Sequence, residues 1–141
     1  MKPEASLRYI FEEIRSTIYS EVGMSKYRGS ADLTRWSEQG VLLLNSALSV
    51  QVGKPGAHQL IWRPFIAFLL DMLNWYNPGL IYVFMGQVAA KWADSVVDTN
   101  YKLITSHPAS AAYNNEIWDG KGVFVKINEH LIKEGKEPII W

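Results

Sequence analysis

The stretch GLIYVFMGQVAAKWADSVVDTNYKLITSHP, from Gly79 to Pro108, decides the fold class. Between Gly79 and Gly86 runs an apolar segment rich in β-branched and aromatic residues, the composition of a strand buried on both faces. QVAAKWADSVV, from Gln87 to Val97, then reads as a helix, and YKLITSHP as a further strand. Pro108 cannot continue that strand, because it lacks the backbone N–H a ladder needs. Strand, helix, strand in this order implies a parallel pair joined by a right-handed crossover. Ligands of such sheets bind beyond the carboxyl ends of the strands, which directs attention to Gly86-Gln87 and to Ser106-His107.

Working toward the N-terminus, LIWRPFIAFLLDMLNWY (Leu60 to Tyr76) is apolar on nearly every side and is expected as a buried helix, with Pro64 confined to its first turn. ALSVQVGKPGAHQ is loop, punctuated by Gly53, Pro55 and Gly56. VLLLNS, starting at Val41, has the continuous apolar character of another parallel strand, with Asn45 at its end. ADLTRWSEQG reads as a short helix closed by Gly40, and VGMSKYRGS before it as a glycine-broken connection. From Glu4 to Val22, Leu7, Ile10, Phe11, Ile14, Ile18 and Val22 share one helical face, with Pro3 suited to the first turn. Toward the C-terminus, PASAAYNN shows no apolar period and reads as loop. GVFVKINEHLIKEG follows as a helix carrying Val123, Phe124, Ile127, Leu131 and Ile132 on one side, with Gly135 near its cap. The expected architecture is a three-layer α/β/α fold with a short parallel sheet, in one domain over 1–141.

Composition narrows the function classes. Hydrophobic residues are 48% and charged residues 20%, which is globular rather than disordered. Cysteine is absent, so disulfides and thiolate metal sites are excluded, and a reducing setting, cytoplasmic or nuclear, is expected. MKPEASLRYIFEEIRS mixes acids and bases and lacks an apolar signal core. No apolar run approaches the ~20 residues of a membrane span, so no membrane partner is expected. With 14 basic and 14 acidic residues, the balance argues against a large nucleic-acid footprint but leaves room for a small one. His58, His107 and His130 are far apart in sequence, no metal-ligand spacing occurs, and neither metal nor cofactor is expected.

Asn45, Gly86-Gln87 and Ser106-His107 would stand at one edge of a parallel sheet. Each also has an ordinary reading: an Asn at a strand end suits a turn, and a His before Pro suits a structural role. The residues by themselves leave both readings open.

A resemblance adds what spacing does not. DLTRWSEQGVLLLNSALSV (Asp32 to Val50) resembles the segment of family 1 uracil-DNA glycosylases in which a Trp-x-x-Gln-Gly turn leads into a strand ending in the uracil-reading Asn. IYVFMGQVAAKWA is similar to that family's next strand and phosphate-contacting turn, ITSHPASAAY to its His-Pro-Ser-Pro-Leu-Ser loop, and NEHLIKEGKEPIIW to its closing helix and tail. The resemblance implies that Asn45 reads the Watson–Crick edge of a flipped uracil, where one planar amide offers a donor and an acceptor. It implies that His107 donates to uracil O2 as charge develops on the leaving base. Pro108, Ala109, Ser110 and Ala111 would form the loop pressing on the DNA, and Pro55, Gly56, His58, Gly86 and Gln87 would lie near phosphates.

Departures from the family pattern bear on activity. The Gly-Gln-Asp-Pro-Tyr-His motif, which supplies the family's water-positioning Asp and thymine-excluding Tyr, has no counterpart in this sequence. Loss of a general base typically costs ~10²–10⁴ in rate. Ala109 replaces a phosphate-gripping Ser, and Ala111 replaces the Leu wedge that fills the space of the flipped base. The resemblance therefore implies a fold lacking the family's first strand, truncated at its N-terminal side. The function implied is hydrolysis of the N-glycosidic bond of uracil in DNA, in base-excision repair, if the missing catalytic segment is supplied. The alternative is an inactive relative that binds DNA, serves a replication or repair partner, or is structural. Uracil-containing DNA is the expected partner, with a strand-supplying polypeptide or a second copy of the chain as further ones.

Overall fold

The computed structural model describes residues 4–20, 27, 29–97 and 100–141. Pro3, Val22 and most of the glycine-broken connection lie outside these residues. Helix α1 (Ala5–Thr17) is followed by the short α2 (Thr34–Ser37), the long α3 (Gln59–Tyr76), strand β1 (Ile81–Met85) and α4 (Gln87–Ala90). A 3₁₀ turn at Ala93–Ser95, strand β2 (Tyr101–Thr105), α5 (Pro108–Asn114) and α6 (Val123–Lys133) complete the order. β1 and β2 pair in a two-stranded parallel sheet. The chain divides into two compact units, one of Met1–Leu42 with Thr105–Trp141 and one of Leu43–Ile104.

In the first unit, the amphipathic α1 turns Phe11 and Ile14 inward, as its period requires. Trp36 of α2 is buried and meets Phe11 edge-on at 5.9 Å and Trp141 at 5.7 Å. Phe124 of α6 meets Trp141 from another side at 4.8 Å. Aromatic side chains buried this way typically cost ~3–5 kcal/mol when cut to Ala. Two side-chain amides strap the C-terminal tail. Gln39 accepts from Ile140 N–H (2.7 Å) and donates to its carbonyl (2.9 Å), and Asn128 does the same for Ile139 (2.8 and 3.0 Å). The start of α6 is held by Glu13 of α1, whose Oε1 accepts from Gly122 N–H at 3.0 Å.

In the second unit, the core is Ile66 and Leu70 of α3, Tyr82 and Phe84 of β1, and Ala93 and Val96. Tyr82 and Phe84, two apart on the strand, point to the same face and stack at 6.1 Å. A polar cluster closes one end. The Tyr82 hydroxyl (2.9 Å) and the Asn100 amide (3.1 Å) both donate to Asn74 Oδ1, while Asn100 Oδ1 accepts from Gly79 N–H at 3.1 Å.

Four sequence expectations are corrected. Residues 41–45 form no strand, and Leu42, Leu43 and Leu44 are exposed. A strand exists only when a neighbour satisfies its backbone, and no described residue pairs with this run. Pro64 lies in the second turn of α3, not its first. The carbonyl it leaves without an i+4 donor belongs to Leu60, an exposed residue, so water can take its place. Nor is α3 buried on every side: one face is buried and the other is open. Finally, PASAAYN is the helix α5 rather than loop. Pro108 occupies its first position, where the fixed φ suits a helix and no N–H is needed, and alanines follow with the highest helix propensity.

Candidate functional site

His107 is the best-defined of the candidates. β2 ends at Thr105, and the Ser106 carbonyl then accepts from the Thr105 hydroxyl (2.9 Å) and from the indole of buried Trp118 (3.1 Å). This pins the residue before His107. His107 itself is the N-cap of α5, with extended backbone (φ −76°, ψ 135°). Its carbonyl accepts from the N–H (3.0 Å) and the hydroxyl (2.7 Å) of Ser110. Its ring Nδ1 accepts from Ala109 N–H at 3.0 Å. An Nδ1 that accepts carries no proton, so the neutral ring holds its hydrogen on Nε2. The side chain is exposed. The result is an oriented imidazole offering one N–H outward.

The residues after it divide. Pro108 and Ala111 are buried in a helix that packs against α1, and present nothing to a ligand. Ser110 is exposed and Ala109 is half-buried. The expected DNA-pressing loop is thus a helical turn in which Ala109 and Ser110, together with exposed Ala112 and Tyr113, form the accessible side.

In the second unit, Asn45 is exposed on the irregular segment that follows the leucines. The loop beyond it is shaped by an isolated bridge between Gln51 and Lys54 and by positive φ at Gly53 (72°) and Gly56 (77°). Pro55 and Gly56 are exposed at its tip. His58 precedes α3, and its Nδ1 lies 2.9 Å from Ser49 Oγ. The same hydroxyl accepts from the Trp62 indole at 2.8 Å, so its own proton is available to His58 Nδ1. Ser49 thereby ties loop to helix. Gly86 ends β1 at φ 95°, ψ 167°, a conformation open only to glycine, and is the N-cap of α4. Gln87 is exposed beside it.

Sequence reasoning missed Ser49, Trp62, Trp118 and the Ala109 N–H as supports of these groups. A hydroxyl between two ring nitrogens leaves no period or motif, and Pro after His signalled the end of the strand but not the helix that starts there. Among the described residues no three His, Asp or Glu side chains gather into a metal site, and no helix is long and apolar enough to cross a membrane.

Comparison with known proteins places these features in context. The sequence matches the Uracil DNA glycosylase superfamily over residues 2–132. A uracil-DNA glycosylase of Acinetobacter baumannii is 36% identical over 138 residues, covering 96% of this chain and 56% of that protein. Uracil-DNA glycosylase 1 of Listeria monocytogenes is 34% identical over 138 residues, covering 96% of this chain and 60% of its own. The crystal structure of mimivirus uracil-DNA glycosylase superposes with a TM-score of 0.80 at 27% identity, covering 99% of this chain and 56% of that one. The chain spans somewhat over half the length of the relatives it matches.

Proposed function

The chain belongs to the uracil-DNA glycosylase superfamily, and from that premise we propose that it takes part in uracil excision, hydrolysing the N-glycosidic bond of uracil in DNA together with a segment, outside these 141 residues, that supplies the catalytic carboxylate. The observation that carries this reading is the His107 ring. With Nδ1 held by Ala109 N–H at 3.0 Å, the neutral imidazole keeps an Nε2–H directed outward. That is the donor needed to stabilise an oxyanion developing on a departing base, and a held donor costs no reorganisation when charge appears.

The other roles follow the resemblance. Asn45 supplies an amide whose donor and acceptor match uracil and mismatch cytosine. Exposed Ser110, the Pro55-Gly56 tip, His58 and the Gly86-Gln87 turn are assigned to the DNA backbone. Pro108 and Ala111 act as supports, since their side chains are buried. These 141 residues hold no Asp-Pro-Tyr sequence, so in this proposal the carboxylate that positions water comes from a segment outside them that carries that motif, on the same or a separate polypeptide. The reaction needs no cofactor: the C1′–N1 bond breaks and the base leaves as an anion stabilised by His107, while water adds its oxygen to the sugar C1′ and gives up a proton to the supplied carboxylate.

Uracil release from single-stranded uracil-containing DNA tests this, using the 141-residue chain with and without a polypeptide carrying the Asp-Pro-Tyr strand. Release on complementation alone supports the proposal. No release in either case, with DNA still bound, would make the chain a binding relative and overturn it.

A further inference from the structure

Ser49 stands between two ring nitrogens, and the direction of each hydrogen bond follows from what each partner can do. The Trp62 indole only donates, so at 2.8 Å its N–H points at Ser49 Oγ. That hydroxyl has one proton of its own, and His58 Nδ1 lies 2.9 Å away. Either Ser49 donates to an unprotonated Nδ1, or Nδ1–H donates to Ser49. The first arrangement makes a continuous relay from Trp62 through Ser49 to His58, in which each bond polarises the next. The second makes Oγ accept twice and leaves its proton without an acceptor among the described residues. The relay is therefore the lower in energy, and His58 Nε2 carries the ring hydrogen. Nε2 makes no hydrogen bond with a described residue and is not shut away from solvent. We infer that Ser49 is a positioning residue for DNA binding: it holds His58 in one tautomer and one orientation, so that Nε2–H is a neutral, pre-oriented donor to a backbone phosphate oxygen.

The surrounding bonds favour this. Trp62 N–H of the main chain donates to the His58 carbonyl at 3.2 Å, so Trp62 holds the His58 backbone directly and its ring through Ser49. Trp62 is itself half-buried and meets Phe65 edge-on at 5.6 Å. The Ser49–His58 bond also closes the intervening loop at its base. Within that loop Lys54 N–H donates to the Gln51 carbonyl at 2.9 Å and Ala57 N–H to the Lys54 carbonyl at 3.1 Å. Turning the imidazole over would set a carbon against Ser49 Oγ and forfeit the bond, so tautomer and orientation are fixed together. His107 reaches the same state through a different donor, the Ala109 N–H at 3.0 Å. There the donor is main chain, whereas at His58 it is a side chain that substitution can remove.

The phosphate role rests on the assignment of His58 to the DNA backbone proposed above, but the ring lock does not, and two measurements separate them. The first is the imidazole nitrogen shifts of the full chain at about pH 8, assignable by substitution because the chain has three histidines. Wild type should show His58 with an unprotonated Nδ1 and a protonated Nε2. Ser49→Ala and, separately, Trp62→Phe should move the Nδ1 resonance, and Ser49→Thr, which keeps a hydroxyl, should return it. A protonated Nδ1 in wild type, or shifts unmoved by Ser49→Ala, would overturn the lock.

The second is titration with a single-stranded uracil-containing oligonucleotide, using the chain together with the segment that supplies the carboxylate. Ser49→Ala should weaken binding about three- to tenfold, the cost of ordering a ring that wild type holds ready, and Ser49→Thr should stay within about twofold of wild type. In a His58→Ala background, Ser49→Ala should have no further effect, because it acts only through the ring. The salt dependence of affinity should keep its slope, since a neutral donor releases no counterion. A full loss from Ser49→Ala in the His58→Ala background would make Ser49 a support of the loop alone. Unchanged affinity in Ser49→Ala, or a reduced salt slope, would remove the neutral phosphate donor, and each of these results overturns the inference. A wild type that binds no oligonucleotide would refute the DNA reading and the phosphate role with it, while the nitrogen shifts still decide the lock.

Discussion

His107 does two jobs that one pair of substitutions separates. As the N-cap of α5, its Nδ1 satisfies Ala109 N–H at 3.0 Å, and as an exposed imidazole it presents Nε2. His107→Ala removes both. Loss of a side-chain cap costs ~1 kcal/mol, within a range of about 0.5–2. For a chain of this length, 1 kcal/mol lowers Tm by roughly 3–5 °C. The cost should sit at this size and not above it, because Pro108 still presets the first turn and Ala111 stays buried. His107→Asn keeps an oxygen that can accept from the Ala109 N–H, and is expected to restore Tm to within about 1 °C of wild type. It does not restore the imidazole. In the complemented reaction, both variants should release uracil ~10²–10³-fold more slowly, the usual cost of removing one oxyanion donor. Thermal unfolding followed by circular dichroism and single-turnover uracil release provide the two readouts. A wild-type Tm for His107→Ala would refute the cap, and wild-type release by His107→Asn would refute the donor.

Two further outcomes concern the supports of the fold. Asn100→Ala should cost ~1–3 kcal/mol, since it removes two hydrogen bonds, one from Gly79 N–H and one to Asn74 beside the buried Tyr82, at ~0.5–1.5 kcal/mol each, as denaturant unfolding would show by a lower midpoint at unchanged slope. The Asp32 carboxylate, which accepts from the Thr34 hydroxyl (2.6 Å) and backbone N–H (3.0 Å), is held below its usual pKa mainly by these two bonds. A lowered folded-state pKa contributes stability above the unfolded value of 3.8, and that contribution is lost as pH falls through the folded value. The Tm difference between wild type and Asp32→Ala should therefore be largest at neutral pH and shrink as pH falls below 3.8 and through the lower folded value; a difference that does not change with pH would refute this account.

Local pattern carried much of the architecture. The helical face of α1 through Phe11 and Ile14, the α6 face through Val123, Phe124 and Ile127, and the two glycine- and proline-bounded strands β1 and β2 all follow from residue period and punctuation. So does the placement of His107 just past a strand end, because Pro108 stops a ladder wherever it stands. These features depend on neighbours a few residues away.

What tertiary structure decided depends on groups distant in sequence. The leucines at 42–44 have strand composition, yet a strand is a relation between two backbones, and no described residue supplies the second. PASAAYN lacks an apolar stripe, yet two small buried residues suffice once α1 lies beside it. The apolar pattern of α3 is the same on both sides, and only packing shows that Ile66 and Leu70 face the core while Phe68 and Trp75 face solvent. The tautomer of His107 depends on which N–H reaches its ring, a matter of about 3 Å that no sequence period records. Periodicity states which residues share a face; only the folded chain states what that face meets.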